Sequence, residues 1–179
     1  MSIKSISQLF LVGLLGFALV GCSSTPKTDA VDGGKDAAAS QVDADIEAAK
    51  RAAAERAAAE LAAKKAELKA MIDGNVVHFD FDMSDIPPSD YELIKAHADY
   101  MSLESDLKIT VSGYADERGT REYNLALGER RAQAVQNALI AEGVSPSRIS
   151  VVSFGEDNPV DEGHSEAAWS KNRRAEFSY

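Results

Sequence analysis

The chain has 179 residues, 29 acidic against 19 basic side chains, a net charge of -10 and one cysteine. That balance argues against nucleic acid, whose phosphates need a basic face, and against adsorption to anionic lipid headgroups. One cysteine excludes an internal disulfide, and the length suits one compact domain behind a segment of different character.

Residues 1–21 read as a secretion signal. Lys4 gives a short positive start, and Leu9 to Val20 is a nearly unbroken apolar stretch. It is shorter than the roughly 20 residues that span a bilayer. The stretch ends in Leu19-Val20-Gly21-Cys22, which resembles the lipobox of bacterial lipoproteins, where the cysteine thiol accepts a diacylglycerol. The resemblance implies that Cys22 is the first mature residue and the lipidation site, since two or three acyl chains hold durably where one binds marginally. Ser23 beside it implies sorting to the outer membrane, with the chain facing the periplasm.

Residues 22–40 are rich in Ser, Thr, Asp, Gly and Ala, include Pro26 and Gly33-Gly34, and lack apolar periodicity. They read as a disordered tether with a reach of about 20–25 Å. Residues 41–72 read as an alanine-rich helix supported by i,i+4 pairs such as Glu47–Arg51 and Glu60–Lys64. A helix of that size is roughly 45 Å long. No large apolar side chain precedes Leu61 in its alanine-rich part and no a/d stripe is sustained, so a solvated spacer is favoured over a coiled coil or a partner-binding helix.

Residues 74–179 carry globular periodicity. Val76 to Phe81 alternates, with Val77, Phe79 and Phe81 on one face, as a half-buried strand does. Ser89-x-x-Glu92 after Pro87-Pro88 reads as a capping box that opens a helix running to about Leu103. Leu107, Ile109 and Val111 alternate in a second strand ending at Gly113. A second helix covers about Tyr123 to Glu142, with Leu127, Val135 and Leu139 inward and Gly143 as its stop. Ile149 to Phe154 is a third strand, Glu166–Lys171 a short helix with Trp169 as a packing residue, and Ala175 to Tyr179 a last strand. The order β-α-β-α-β-(α)-β describes an α+β domain, two helices packed on one mixed sheet.

Polar residues gather between the second strand and the second helix: Asp116-Glu117-Arg118-Gly119-Thr120, then Asn124, Arg130 and Arg131. A carboxylate near a guanidinium can take a zwitterionic amino-acid head, ammonium on Asp and carboxylate on the Arg fork. Spacing alone leaves a plain Asp116–Arg131 ion pair as the simpler reading.

The segments Asp116-Glu117-Arg118-Gly119-Thr120, Tyr123-Asn124, Leu127-Gly128-Glu129-Arg130-Arg131-Ala132 and Ser170-Lys171-Asn172-Arg173-Arg174-Ala175 resemble the outer-membrane protein A-like peptidoglycan-binding domain. With Phe79-Asp80-Phe81-Asp82 and the lipobox, they resemble the wall-binding lipoproteins of the Tol system. The resemblance implies a noncovalent grip on the diaminopimelate of the stem peptide. Asp116 would hold its side-chain ammonium and Arg131 its carboxylate. Phe81 and Asp82 would line the mouth, and Asn124 and Leu127 the wall. Asp116→Ala or Arg131→Ala is then expected to abolish binding to sacculi while the domain stays folded. The implied partners are peptidoglycan, the outer membrane through the lipid anchor, and the Tol system's periplasmic propeller protein (TolB), which competes for an overlapping surface. Envelope integrity and cell division are the implied roles. Tyr114 departs from the pattern, in which a histidine often stands before Ala-Asp, and the alanine-rich spacer is longer than the family suggests.

No cofactor is implied. Asp80-x-Asp82-x-Ser84 lacks the glycine and closing glutamate of a calcium loop, and His78, His97 and His164 have no metal-ligand spacing. His97 falls on the inward helix stripe. No nucleophile–base constellation stands in a recognised context, so binding is favoured over a wall-cutting enzyme.

Overall fold

The computed structural model describes residues 35–179, so the secretion signal, Cys22 and the first part of the tether lie outside the described residues. Two compact units divide the chain, residues 1–47 and 48–179. In the first, the described residues are helical. Helix α1 spans Lys35–Ile72 and so begins six residues ahead of the expected start at Gln41. Alanine at positions 37–39 supports a helix as well as the later alanines do, and the tether expectation held too far toward the C-terminus.

Within the second unit, the end of α1 does not match a fully solvated spacer. Leu68 and Ile72, four residues apart on one face, are buried against Ala96, with Leu93, Tyr100 and Leu103 around them. Lys65 reaches the Glu104 carboxylate at 2.8 Å. Two apolar residues at i,i+4 are enough to dock a helix end, whereas the alanine-rich stretch before them stays exposed.

The remaining elements are β1 (Val77–His78), α2 (Tyr91–Leu103), β2 (Ile109–Tyr114), α3 (Arg121–Ala141), β3 (Ile149–Gly155), α4 (Glu166–Asn172) and β4 (Arg174–Ser178). The sheet order is β1-β4-β2-β3. β2 and β3 are parallel, which requires a crossover, and α3 provides it. β4 runs antiparallel to both of its neighbours. This is the expected α+β arrangement. Val77, Ile94, Met101, Val111, Val135 and Leu139 anchor one core between helices and sheet. Each such side chain stabilises by about 1.5–3 kcal/mol on burial.

Three local expectations need correction. Strand β1 is two residues long rather than six. The Phe79 amide still donates to the Arg173 carbonyl at 3.0 Å, but the chain then turns, and Asp82 sits at φ 58°. Phe79 is buried and Phe81 is 55% exposed, so the strand alternation breaks after Phe79. The Ser89 capping box does not form either. A 3-10 turn over Pro88–Asp90 leads into α2, Ser89 donates to the Asp90 carboxylate, and that carboxylate also accepts the His78 amide at 3.1 Å.

Two features fix α3 over the sheet. Thr120 caps its N-terminus by accepting the Tyr123 amide at 3.2 Å. Gly113 on β2 faces Gly128 on α3 so closely that a Cβ at Gly113 would lie 1.9 Å from the Gly128 carbonyl oxygen. This close approach sets the height of Arg131, one turn further along the helix.

Candidate functional site

The loop between β2 and α3 opens at the carboxyl end of β2, and the Ala115 amide donates across to the Gly155 carbonyl at 2.8 Å. Rigid strands thus carry Asp116 to the sheet's end, a usual place for binding groups. A cavity of about 220 Å³ lies there, lined by Phe81, Asp82, Asp116, Asn124, Leu127 and Arg131, together with Arg118, Gly119 and Tyr123. All six residues singled out in the sequence therefore share one cavity. Arg118, Gly119 and Tyr123 were quoted within motifs but given no role.

Asp116 and Arg131 do not pair. The Arg131 side chain is fully buried, and its guanidinium donates to three backbone carbonyls: Nε to Met83 at 2.8 Å, Nη1 to Tyr114 at 2.8 Å and Nη2 to Asp80 at 3.0 Å. It lies 5.1 Å above the Phe79 ring. Among the described residues no carboxylate is within ion-pair distance of it. Burial pushes its pKa down to about 10, Arg173 repels it, and Asp116 and Asp82 pull the other way. Arg131 is therefore a cation at neutral pH, held in place by neutral dipoles.

Asp116, 4% exposed, belongs to two other arginines. Oδ1 accepts the Arg118 amide at 3.1 Å and Arg118 Nε at 3.0 Å. Oδ2 accepts Arg118 Nη2 at 2.6 Å and Arg173 Nη1 at 3.2 Å. Burial alone pushes the Asp116 carboxyl up, but these bonds outweigh it and hold the group below the usual carboxylate range. Arg173, also buried, donates to the Phe79 carbonyl at 3.0 Å and to Glu166 at 2.7 Å. The Arg118 guanidinium lies 4.0 Å from the Phe81 ring and 4.2 Å from Trp169. Trp169 does more than pack: its Nε1 donates to Glu117 at 2.9 Å, and Glu117 also meets His164 Nδ1 at 2.7 Å.

The wall and mouth are ordered by their own bonds. Asn124 is buried and donates to the Arg118 carbonyl and to the Glu156 carboxylate. The Tyr123 hydroxyl donates to Asp82. Tyr114 turns away from the cavity: its ring stacks on Phe154, lies under the Arg174 guanidinium at 3.8 Å, and donates to Glu176 at 3.2 Å. Only its carbonyl serves the site, so the departure at this position leaves the lining unaltered. Among the described residues no group of three or more His, Cys, Asp or Glu side chains is placed to hold a metal ion. No helix among them is long and apolar enough to cross a membrane.

A model of the OmpA family matches residues 78–173. The peptidoglycan-associated lipoprotein of Pasteurella multocida is 48% identical over 105 residues, 59% of this chain and 70% of that protein. The homonymous protein of Haemophilus influenzae is 48% identical over 105 residues, covering 59% and 69%. Among solved structures, the peptidoglycan-associated lipoprotein from Burkholderia pseudomallei superposes with a TM-score of 0.60 at 42% identity, over 61% of this chain and 92% of that one. The family pattern covers more than half of the chain, from β1 to Arg173 at the threshold of β4, and the chain belongs to the OmpA family, beside the peptidoglycan-associated lipoproteins.

Proposed function

We propose that this chain is an outer-membrane lipoprotein that binds peptidoglycan noncovalently through the diaminopimelate of the stem peptide, working with the Tol system in envelope integrity and cell division. The observation that carries the reading is the buried Arg131 cation, which has no carboxylate partner among the described residues and lines a cavity it shares with Asp116. A buried guanidinium whose fork is balanced by neutral carbonyls alone is suited to a ligand carboxylate, and charge-assisted bonds of that kind are the strong ones. Asp116 at the same cavity suits the ammonium of the same zwitterion. The names of the relatives support the wall as the source of that ligand.

Binding rather than catalysis is the favoured reading, and the relatives' names support it. Acyl chains on Cys22 would fix one end in the membrane, and the tether with the exposed part of α1 would bridge to the domain. Phe81, Met83 and Tyr123 are exposed close to the same cavity. That apolar rim favours a second, competing partner, the propeller protein TolB, on an overlapping surface. Titration with a tripeptide carrying meso-diaminopimelate against its lysine analogue tests the clamp. The analogue lacks the carboxylate, so it should bind at least tenfold more weakly, on the order of one charge-assisted bond. Equal affinities overturn the reading.

A further inference from the structure

A carboxylate offers about four acceptor positions, and in Asp116 all four are taken: three by Arg118 and one by Arg173. An arriving ammonium finds no free lone pair and must displace a donor. Arg173 is a poor candidate, being buried and tied also to the Phe79 carbonyl and to Glu166. The Arg118 side chain is 29% exposed, and its Nη1 already lies 3.4 Å from Glu166 Oε2. Its guanidinium sits between the Phe81 and Trp169 rings, surfaces that let a planar cation turn while keeping its stacking. Glu117 accepts the Trp169 indole N–H at 2.9 Å and so ties the second of these rings to the same loop.

We infer that Arg118 is an internal stand-in for the ligand's ammonium, resting on Asp116 in the free chain and passing to Glu166 when ligand binds. The inference rests on the clamp proposed above and adds the exchange. Asp116 is then never left as a buried, unpaired anion, and the ammonium's contribution is the difference between two cations at one carboxylate. A ligand without the ammonium leaves Arg118 on Asp116, so Arg118 tempers the advantage of zwitterions over plain acids and leaves acid binding untouched.

The test is calorimetric titration of the full chain with L-Ala-γ-D-Glu-meso-diaminopimelate and with the same tripeptide acetylated on its side-chain amine. Arg118→Met removes the competitor and should tighten the free tripeptide roughly two- to fivefold, the range of a partly exposed ion pair. It should bring no gain for the acetylated form. Arg118→Lys, a cation without the two-point fork, should fall between, and Glu166→Gln, which removes the second resting place, should weaken binding. Weaker binding by Arg118→Met, or an equal gain for both peptides, overturns the exchange. Arg131→Lys separates the two failures: loss of binding there without a gain from Arg118→Met overturns the exchange alone. Indifference to Arg131→Lys overturns the clamp itself.

Discussion

Replacing Arg131 by alanine would remove more than the proposed ligand contact. Its guanidinium ties the segment after β1, through the Asp80 and Met83 carbonyls, to the end of β2 at Tyr114. Alanine strands three acceptors, each costing roughly 1–3 kcal/mol when left buried without a donor. Water entering the vacated volume, and relief of the buried charge, recover part of this. A loss of about 3–5 kcal/mol is expected, a large share of the 5–15 kcal/mol that holds a typical domain. Arg131→Ala is thus expected to stay folded, but with a thinner margin than the parent. Urea unfolding followed by fluorescence of the single tryptophan, Trp169, reads the effect. With a slope of about 1.5–2 kcal/mol per molar, the midpoint should fall by about 2 M. Loss of peptide binding with an unchanged midpoint would refute the claim that these three bonds stabilise the fold.

Acid should weaken the domain through His97, which is buried, stacked on Phe177 at 3.8 Å, and bonded to the Tyr179 hydroxyl at 2.7 Å, with Nε2 unpartnered. Burial lowers its pKa from 6.5 to about 4. Above pH 6.5 it has no effect; between 6.5 and 4 the unfolded chain takes up a proton that the folded chain refuses. Stability should fall by about 1.4 kcal/mol per pH unit there, a slope that His97→Gln abolishes and that urea midpoints across pH 7 to 4.5 would show. Asp116, whose folded carboxyl is held low, loses its contribution only further down. Gly113→Ala should destabilise by about 3 kcal/mol or more, because the new Cβ meets backbone rather than a movable side chain. A thermal midpoint within a degree of the parent's would contradict the close packing of α3 on the sheet.

Periodicity made the layers readable. β2, α3 and β3 alternate or repeat as their burial requires, and each lies within about two residues of its expected limits. The exceptions are places where a tertiary bond overrides a local signal. Ser89 loses its capping role because the Asp90 carboxylate is drawn to the His78 amide. β1 stops early because the chain must turn at Asp82 to bring the Asp80 and Met83 carbonyls over Arg131. In α1, only Leu68 and Ile72 distinguish a docking end from a solvated rod. Spacing and resemblance brought Asp116 and Arg131 to one cavity, but three arginines compete for a single carboxylate. Which of them wins depends on side-chain direction and on what lies behind: Arg118 is two residues from Asp116 in sequence, and Arg173 arrives from 57 residues further along the chain. The Arg173-Arg174 pair was visible inside a motif, yet nothing local said that its first member would close the site.

The fourth strand in chain order lies inside the sheet. β4 lies between β1 and β2, pairing Ala175 with both Val77 and Gly113, so the sheet cannot close until residues 174–178 are present. Contacts this distant along the chain form slowly, and a chain delivered N-terminus first must wait for them in an open state. Arg173, at the threshold of β4, also supplies one of the bonds to Asp116. Folding order therefore imposes a check: a chain stalled or cut before Arg173 lacks both the strand that joins β1 to β2 and one of the bonds to Asp116.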